Sequence, residues 1–207
     1  MTRAFIWDLD GTLLDSYEAI LDGIAETYAH YSLDFDREAV HAFILKQSVQ
    51  ALLEEVAGEH DLDAEEMNRY RASSLREKNA QVHLMQGARD VLAWAKEEGI
   101  AQFVYTHKGK NAYPILDDLG ILSYFQEIVT TDNGFRRKPD PEGVDYLVHK
   151  YQLDRSETYY IGDRTLDVDL ADNAGIGSIN FLNYKPDVNH AIRHLDDIRL
   201  YFEEEKS

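Results

Sequence analysis

This chain is patterned as a series of short apolar runs, each closing in polar residues and most followed by a helical pattern. Phe5-Ile6-Trp7 is the first run, Ile100 to Tyr105 the second, Glu127 to Thr130 the third, Thr158 to Ile161 the fourth and Ile176 to Asn180 the fifth. Short apolar runs of this kind suit strands buried on both faces, and strands alternating with helices predict an α/β fold with a Rossmann-like parallel sheet. The helices are marked by spacing and punctuation. Ala88 to Glu98 carries Val91, Leu92, Trp94 and Ala95 and stops at Gly99, a residue that accepts the left-handed conformation at a helix end. Asn111 to Leu119 stops at Gly120, and Pro139-Asp140-Pro141 opens a helix carrying Val144, Leu147 and Val148.

Residues 16–82 break the alternation, with helical patterns and no strand. Ile20, Ile24 and Tyr28 mark one helix, and Val40, Phe43 and Ile44 a second. Val49, Leu52, Leu53 and Val56 mark a third, expected to close at Gly58, and Met67, Tyr70 and Leu75 a fourth. The predicted organisation is a catalytic core of residues 1–15 and 83–207 with a helical cap, 16–82, inserted after the first strand. An insert at that point follows the carboxyl end of a strand, where open α/β sheets bind ligands. Hinges are expected near Asp15-Ser16 and around Gln81-Val82-His83, and the acidic tail from Glu203 to Ser207 is expected to be solvated.

Composition narrows the partners. With 207 residues, 44% of them hydrophobic, the chain supports one good core and a smaller unit. A formal charge of −18 weighs against nucleic acid, whose binding rests on neutralising phosphates with Lys and Arg. The absence of cysteine removes disulfides and thiolate zinc sites, and fits a reducing cytoplasm. The apolar run before Asp8 is too short for a signal peptide or a membrane span, so a cytoplasmic protein without a membrane partner is expected.

The strand ends carry the chemistry. The first closes in Asp8-Leu9-Asp10-Gly11-Thr12, two acids separated by one residue beside a turn glycine. Like charges so close resist joint ionisation unless a metal neutralises one or one keeps a proton. The fourth closes in Gly162-Asp163-Arg164-Thr165-Leu166-Asp167, with Asp163 and Asp167 one helical turn apart. Taken singly, Asp163 also reads as a helix N-cap and Asp167 as a solvated helix acid. Taken together, acids from two strand ends form a hard-oxygen site suited to Mg²⁺. The second strand closes in Thr106-His107-Lys108-Gly109, a hydroxyl, a turn of N–H groups and cationic side chains. The third leads to Arg136-Arg137-Lys138-Pro139, where the proline favours an extended Lys138, a point charge for a phosphoryl oxygen or the acids.

These pieces, in this order, resemble the haloacid dehalogenase superfamily, and within it the phosphoglycolate phosphatase-like group with a helical cap. The motifs are Asp8-Leu9-Asp10-Gly11-Thr12, Thr106, Lys138 before Pro139, and Gly162-Asp163 through Asp167. The resemblance implies a phosphatase acting on a small phosphorylated metabolite, with Asp8 as nucleophile and Asp10 as acid and base. It implies Mg²⁺ held by Asp8, the backbone carbonyl of Asp10 and Asp163, with Asp167 an orienter or a ligand through water. Thr106 and Lys138 would hold the phosphoryl oxygens, helped by backbone N–H groups at Leu9, Asp10 and His107. By position, Leu45-Lys46-Gln47-Ser48 resembles the cap loop that reaches substrate, although the glycine often found there is missing, which makes Lys46 and Gln47 candidates for specificity or simple helix-turn residues. A sugar-phosphate mutase of the β-phosphoglucomutase type and a catalytically silent binding module are the competing readings.

Overall fold

A computed structural model describes residues 3–78 and 82–204, and the chain separates into two compact units, 16–82 and the remainder. Of the expectations above, Gln81 of the hinge and the tail beyond Glu204 lie outside the described residues.

The larger unit is built on β1 (Ala4–Trp7), β4 (Ala101–Tyr105), β5 (Glu127–Val129), β6 (Thr158–Gly162), β7 (Gly177–Asn180) and β8 (Asn189–Ala191). They form one parallel sheet in the order β5-β4-β1-β6-β7-β8. The chain moves outward from β1 in both directions, so the order reverses at β1, and such a switch point leaves a ligand crevice at the strands' carboxyl ends. Helices α5 (Ala88–Glu97), α6 (Ala112–Asp118), α7 (Glu142–Tyr151), α8 (Thr165–Ala174) and α9 (Asp197–Glu204) complete this unit.

All four residues of β1 are fully buried, and the period-2 pleat sends them to two cores. Ala4 and Ile6 join Phe103, Tyr105, Val129, Val144, Leu147, Tyr160, Leu170 and Ala171 in one cluster, which includes the apolar faces of α7 and α8. Phe5 packs edge-on to Trp7 and against Trp94 of α5 and Phe202 of α9. Truncating a side chain such as Phe5 to alanine costs about 3–5 kcal/mol through lost transfer energy and the cavity left behind. The buried Gln102 is satisfied between these layers, accepting from Trp7 Nε1 (3.3 Å) and donating to the Leu92 carbonyl (3.0 Å).

The smaller unit is α-helical: α1 (Tyr17–His30), α2 (Arg37–Lys46), α3 (Val49–His60) and α4 (Ala64–Lys78). Ile20, Leu21, Ile24, Tyr28, Val40, Ile44 and Leu52 form its core, with Leu53, Ala57 and Met67 as a second cluster. Asp36 caps α2 by accepting the Ala39 N–H, and Ser48 caps α3 by accepting the Ala51 N–H, both at 3.0 Å.

The structure departs from expectation in several places. Gly58 does not close α3, which runs to His60. Asp61 takes the left-handed position and Leu62 N–H returns to the Ala57 carbonyl, so the helix has its terminal bonds further on. β8 was missed, as was the antiparallel pair β2 (Leu14–Asp15) and β3 (His83–Leu84), because two or three residues carry no readable alternation. Thr130 lies beyond β5, where it caps a 3₁₀ turn at Thr131–Asn133. Among the described residues, no helix is long and apolar enough to cross a membrane.

Candidate active site

The ladder that holds β1 beside β6 continues one residue further, where Asp8 N–H donates to the Ile161 carbonyl (2.8 Å). The chain then turns sharply. Gly11 sits at φ +77°, and the Leu9 carbonyl accepts N–H groups from Thr12, Leu13 and Leu14 (2.8–3.1 Å). A residue with a Cβ would be strained at that φ, which accounts for glycine in the motif.

Asp8 is 2% exposed. Its Oδ1 accepts the Leu9 N–H (2.8 Å), and its Oδ2 lies 3.0 Å from Lys138 Nζ and 3.9 Å from Arg164 Nη2. Burial pushes the Asp8 carboxyl above its ordinary value; Lys138 and Arg164 oppose this, while Asp167 and Asp10 add to it. The ionised form therefore depends on nearby positive charge.

Lys138 supplies part of that charge. It precedes Pro139, across a cis peptide bond, in the loop leading to α7. Its fully buried ammonium meets three acceptors: Asp8 Oδ2 at 3.0 Å, Asp167 Oδ1 at 2.8 Å and the Tyr160 hydroxyl at 2.9 Å. An ammonium has three donors, so all are engaged. Tyr160 in turn donates to the Tyr105 carbonyl (2.6 Å), and burial keeps its hydroxyl protonated by raising its pKa well above the usual tyrosine value. The Lys138 N–H donates to His107 Nε2 (3.0 Å), so His107 is neutral with its proton on Nδ1. Burial first, then the charges of Lys138, Arg137 and Arg164, hold the His107 pKa far below its ordinary range.

In the first turn of α8, just beyond β6, Asp167 is fully buried rather than solvated. Its Oδ2 accepts the N–H groups of Asp163 (3.3 Å) and Arg164 (3.1 Å), so it caps α8 from within, and Arg164, not Asp163, occupies the N-cap position. This needs Gly162, because a Cβ there would stand 2.5 Å from Asp167 Oδ2. Asp163 is left to face the site, where its Oδ1 accepts the Thr12 hydroxyl (3.3 Å).

Thr106, 1% exposed, continues β4 by donating its N–H to the Val129 carbonyl (3.0 Å). Its hydroxyl oxygen accepts the Lys108 N–H (3.1 Å), which leaves the hydroxyl proton for another acceptor. Asp10 is directed differently from Asp8, with its Oδ1 2.9 Å from Lys108 Nζ. Of the expected residues, Asp8, Asp163, Asp167 and Lys138 come together, Thr106 and His107 are linked to them through the β4 loop, and the Leu9 N–H is engaged by Asp8. Lys46 ends α2 and Gln47 is its C-cap, both exposed in the other unit. Tyr160 was missed, since an aromatic inside an apolar run reads as core packing.

Carboxylate oxygens of Asp8, Asp163 and Asp167 lie within 4.8 Å of one another. This all-oxygen, acidic set fits a hard divalent cation, and a cation there opposes the burial that disfavours ionised Asp8. Both oxygens of Asp167 and both of Asp8 are engaged by protein donors, and Asp163 is the least buried of the three.

Comparison with known proteins places the chain in a family. Residues 5–181 match the family model described as haloacid dehalogenase-like hydrolase. The chain is 32% identical over 175 residues to pyrophosphatase PpaX of Bacillus velezensis, covering 83% of this chain and 79% of that protein. It is 27% identical over 188 residues to phosphoglycolate phosphatase of Pseudomonas fluorescens, covering 85% and 68%. Among solved structures, a hydrolase from Streptococcus pneumoniae TIGR4 aligns at 30% identity and a TM-score of 0.63, covering 98% of this chain and all of that one. The chain belongs to the haloacid dehalogenase-like hydrolases.

Proposed function

We propose that this hydrolase is a magnesium-dependent phosphatase that cleaves a small phosphomonoester through a phosphorylated Asp8. The observation that carries the reading is the setting of Asp8: a buried carboxylate 3.0 Å from Lys138 Nζ, grouped with Asp163 and Asp167. Relatives named for phosphoglycolate and pyrophosphate support a small, anionic phosphorylated substrate.

Asp8 and Asp163, with the backbone carbonyl of Asp10, would hold Mg²⁺, which when bound neutralises negative charge shared by Asp8 and the substrate phosphate. An oxygen of Asp8 attacks phosphorus, the P–O bond to the leaving group breaks, and Asp10 gives its proton to the leaving oxygen. Asp10 then takes a proton from the water that hydrolyses the aspartyl phosphate. Thr106 donates its free hydroxyl proton to a phosphoryl oxygen, and the backbone N–H of His107 assists. Lys138 offsets the negative charge at Asp8 while Asp167 and Tyr160 fix its position; to reach a phosphoryl oxygen as well, it exchanges one of its three partners. Residues 1–15 and 83–207 act as the catalytic core and 16–82 as a cap, with Lys46 and Gln47 the candidates for substrate choice.

The test is phosphate release with Mg²⁺ from phosphoglycolate, sugar phosphates and nucleotides, by the native chain and by Asp8→Asn. The variant is expected to fold and to release no phosphate above background; turnover by it would remove Asp8 as nucleophile. Isomer formation without phosphate release would favour a mutase.

A further inference from the structure

Lys108 has no part in the steps above, yet its ammonium is an ionic partner of Asp10. Nζ stands 2.9 Å from Oδ1, with the lysine side chain 12% and the aspartate side chain 23% exposed. A lysine on a flexible four-carbon stem is ordinarily a poor positioning device. This one leaves an anchored backbone. Its N–H donates to Thr106 Oγ1 (3.1 Å), and its carbonyl accepts the Thr131 N–H (3.0 Å). Two residues on, the Lys110 N–H donates to Asp132 Oδ2 (2.6 Å), and a Cβ on Gly109 would come within 2.9 Å of that same oxygen.

The anchor is itself fixed. Thr131 and Asp132 belong to the 3₁₀ turn in which Thr130 Oγ1 accepts the Asp132 N–H (3.3 Å) and Asn133 Oδ1 accepts the Thr130 N–H (2.8 Å). Three consecutive features therefore lead to one point: a capped turn after β5, a pinned loop after β4, and an ammonium on the Asp10 carboxylate.

An acid that serves the leaving oxygen must be aimed, since misplacing a catalytic group by about 1 Å can lower a rate by roughly 10²-fold. Asp10 lies on a tight turn beside the negative Asp8, which repels it. We propose that Lys108 is the positioning residue of Asp10, holding its carboxylate in the rotamer from which it exchanges a proton with the leaving-group oxygen. This rests on the reading of Asp10 as acid and base. The proton that moves is carried on the Asp10 oxygen that Lys108 does not engage and passes to the leaving oxygen as the P–O bond breaks, which leaves the Asp10 carboxylate ion-paired to Lys108; Lys108 keeps its own protons throughout.

The experiment compares the native chain, Lys108→Met and Lys108→Arg, with Mg²⁺, on an alkyl phosphate and on p-nitrophenyl phosphate. The parameter is kcat/KM, which reports steps up to loss of the leaving group. Nitrophenolate leaves with little need of a proton. Lys108→Met should therefore lose about 10- to 100-fold on the alkyl ester, within the span of general acid catalysis, and only a few-fold on the aryl ester. Lys108→Arg should recover part of the loss. Equal losses on both esters, or none on the alkyl ester, would overturn the proposal. Crystal structures of the native chain and Lys108→Met give a second readout that needs no turnover: an Asp10 side-chain torsion unchanged between them also overturns it. A native chain that hydrolyses neither ester nor any in the wider panel refutes the phosphatase reading instead, while the torsion comparison still decides whether Lys108 orients Asp10.

Discussion

Tyr160→Phe isolates a hydroxyl that serves two partners and leaves the ring's packing intact. The hydroxyl accepts from Lys138 at 2.9 Å and donates to the Tyr105 carbonyl at 2.6 Å, in a residue with no solvent exposure. A hydrogen bond to a charged group contributes about 1.5–3 kcal/mol and a neutral one about 0.5–1.5, and no water replaces either at this depth. The expected loss is therefore roughly 2–4 kcal/mol, which for a chain of this size lowers the unfolding midpoint by about 5–15 °C. Tryptophan fluorescence is the suitable probe, because both tryptophans, Trp7 and Trp94, lie in the larger unit. The measurement belongs in EDTA, so that metal binding does not add to stability. Repeating it in a Lys138→Met background separates the lysine bond from the carbonyl bond. There the tyrosine substitution should cost at least about 1 kcal/mol less, since one partner has gone. A loss below about 0.5 kcal/mol, or full additivity of the two substitutions, would refute the account of how Lys138 is held.

Two further outcomes follow from the acids and from His107. Mg²⁺ at 100 times its dissociation constant should stabilise the EDTA-treated chain by about 2.7 kcal/mol. Asp163→Asn should abolish most of that shift, whereas Asp172→Asn, an exposed acid paired with Lys185, should leave it intact; equal shifts in thermal scans would exclude Asp163 as a ligand. His107 is held neutral in the fold, with its pKa depressed, while the unfolded chain protonates near pH 6.5. The unfolded state then binds more protons below that pH, so the contribution is complete above about 6.5 and is lost by up to about 1.4 kcal/mol per unit as pH falls. Relative to His107→Gln, the native chain should show this slope between about pH 6.5 and 5 in urea titrations, and parallel curves for the two would refute a neutral, buried His107.

What the sequence made legible depended on how each residue expresses its role. β1 could be read because four apolar residues end abruptly in acids, and β2, β3 and β8 could not because pairing with neighbours, rather than their own pattern, makes them strands. Asp8, Asp163 and Lys138 could be read because ionisable groups at strand ends are costly without a shared purpose. Their roles were less legible than their presence. Asp167 looked solvated when read alone, and its work as an internal cap and a Lys138 partner depends on Gly162 making room, a packing fact between two chain segments. Gly58 misled because glycine ends helices by local rule, while α3 continues where Asp61 and Leu62 offer its carbonyls later partners. Lys108 and Tyr160 are the instructive cases. Neither residue type is unusual at its place in the chain, one in a basic turn and the other in an apolar strand. Each gains its meaning from a partner more than twenty residues away, Asp10 for one and Lys138 for the other. A site of this kind is thus announced in sequence by its charged atoms, while the groups that aim those atoms emerge only when the strand ends are brought side by side.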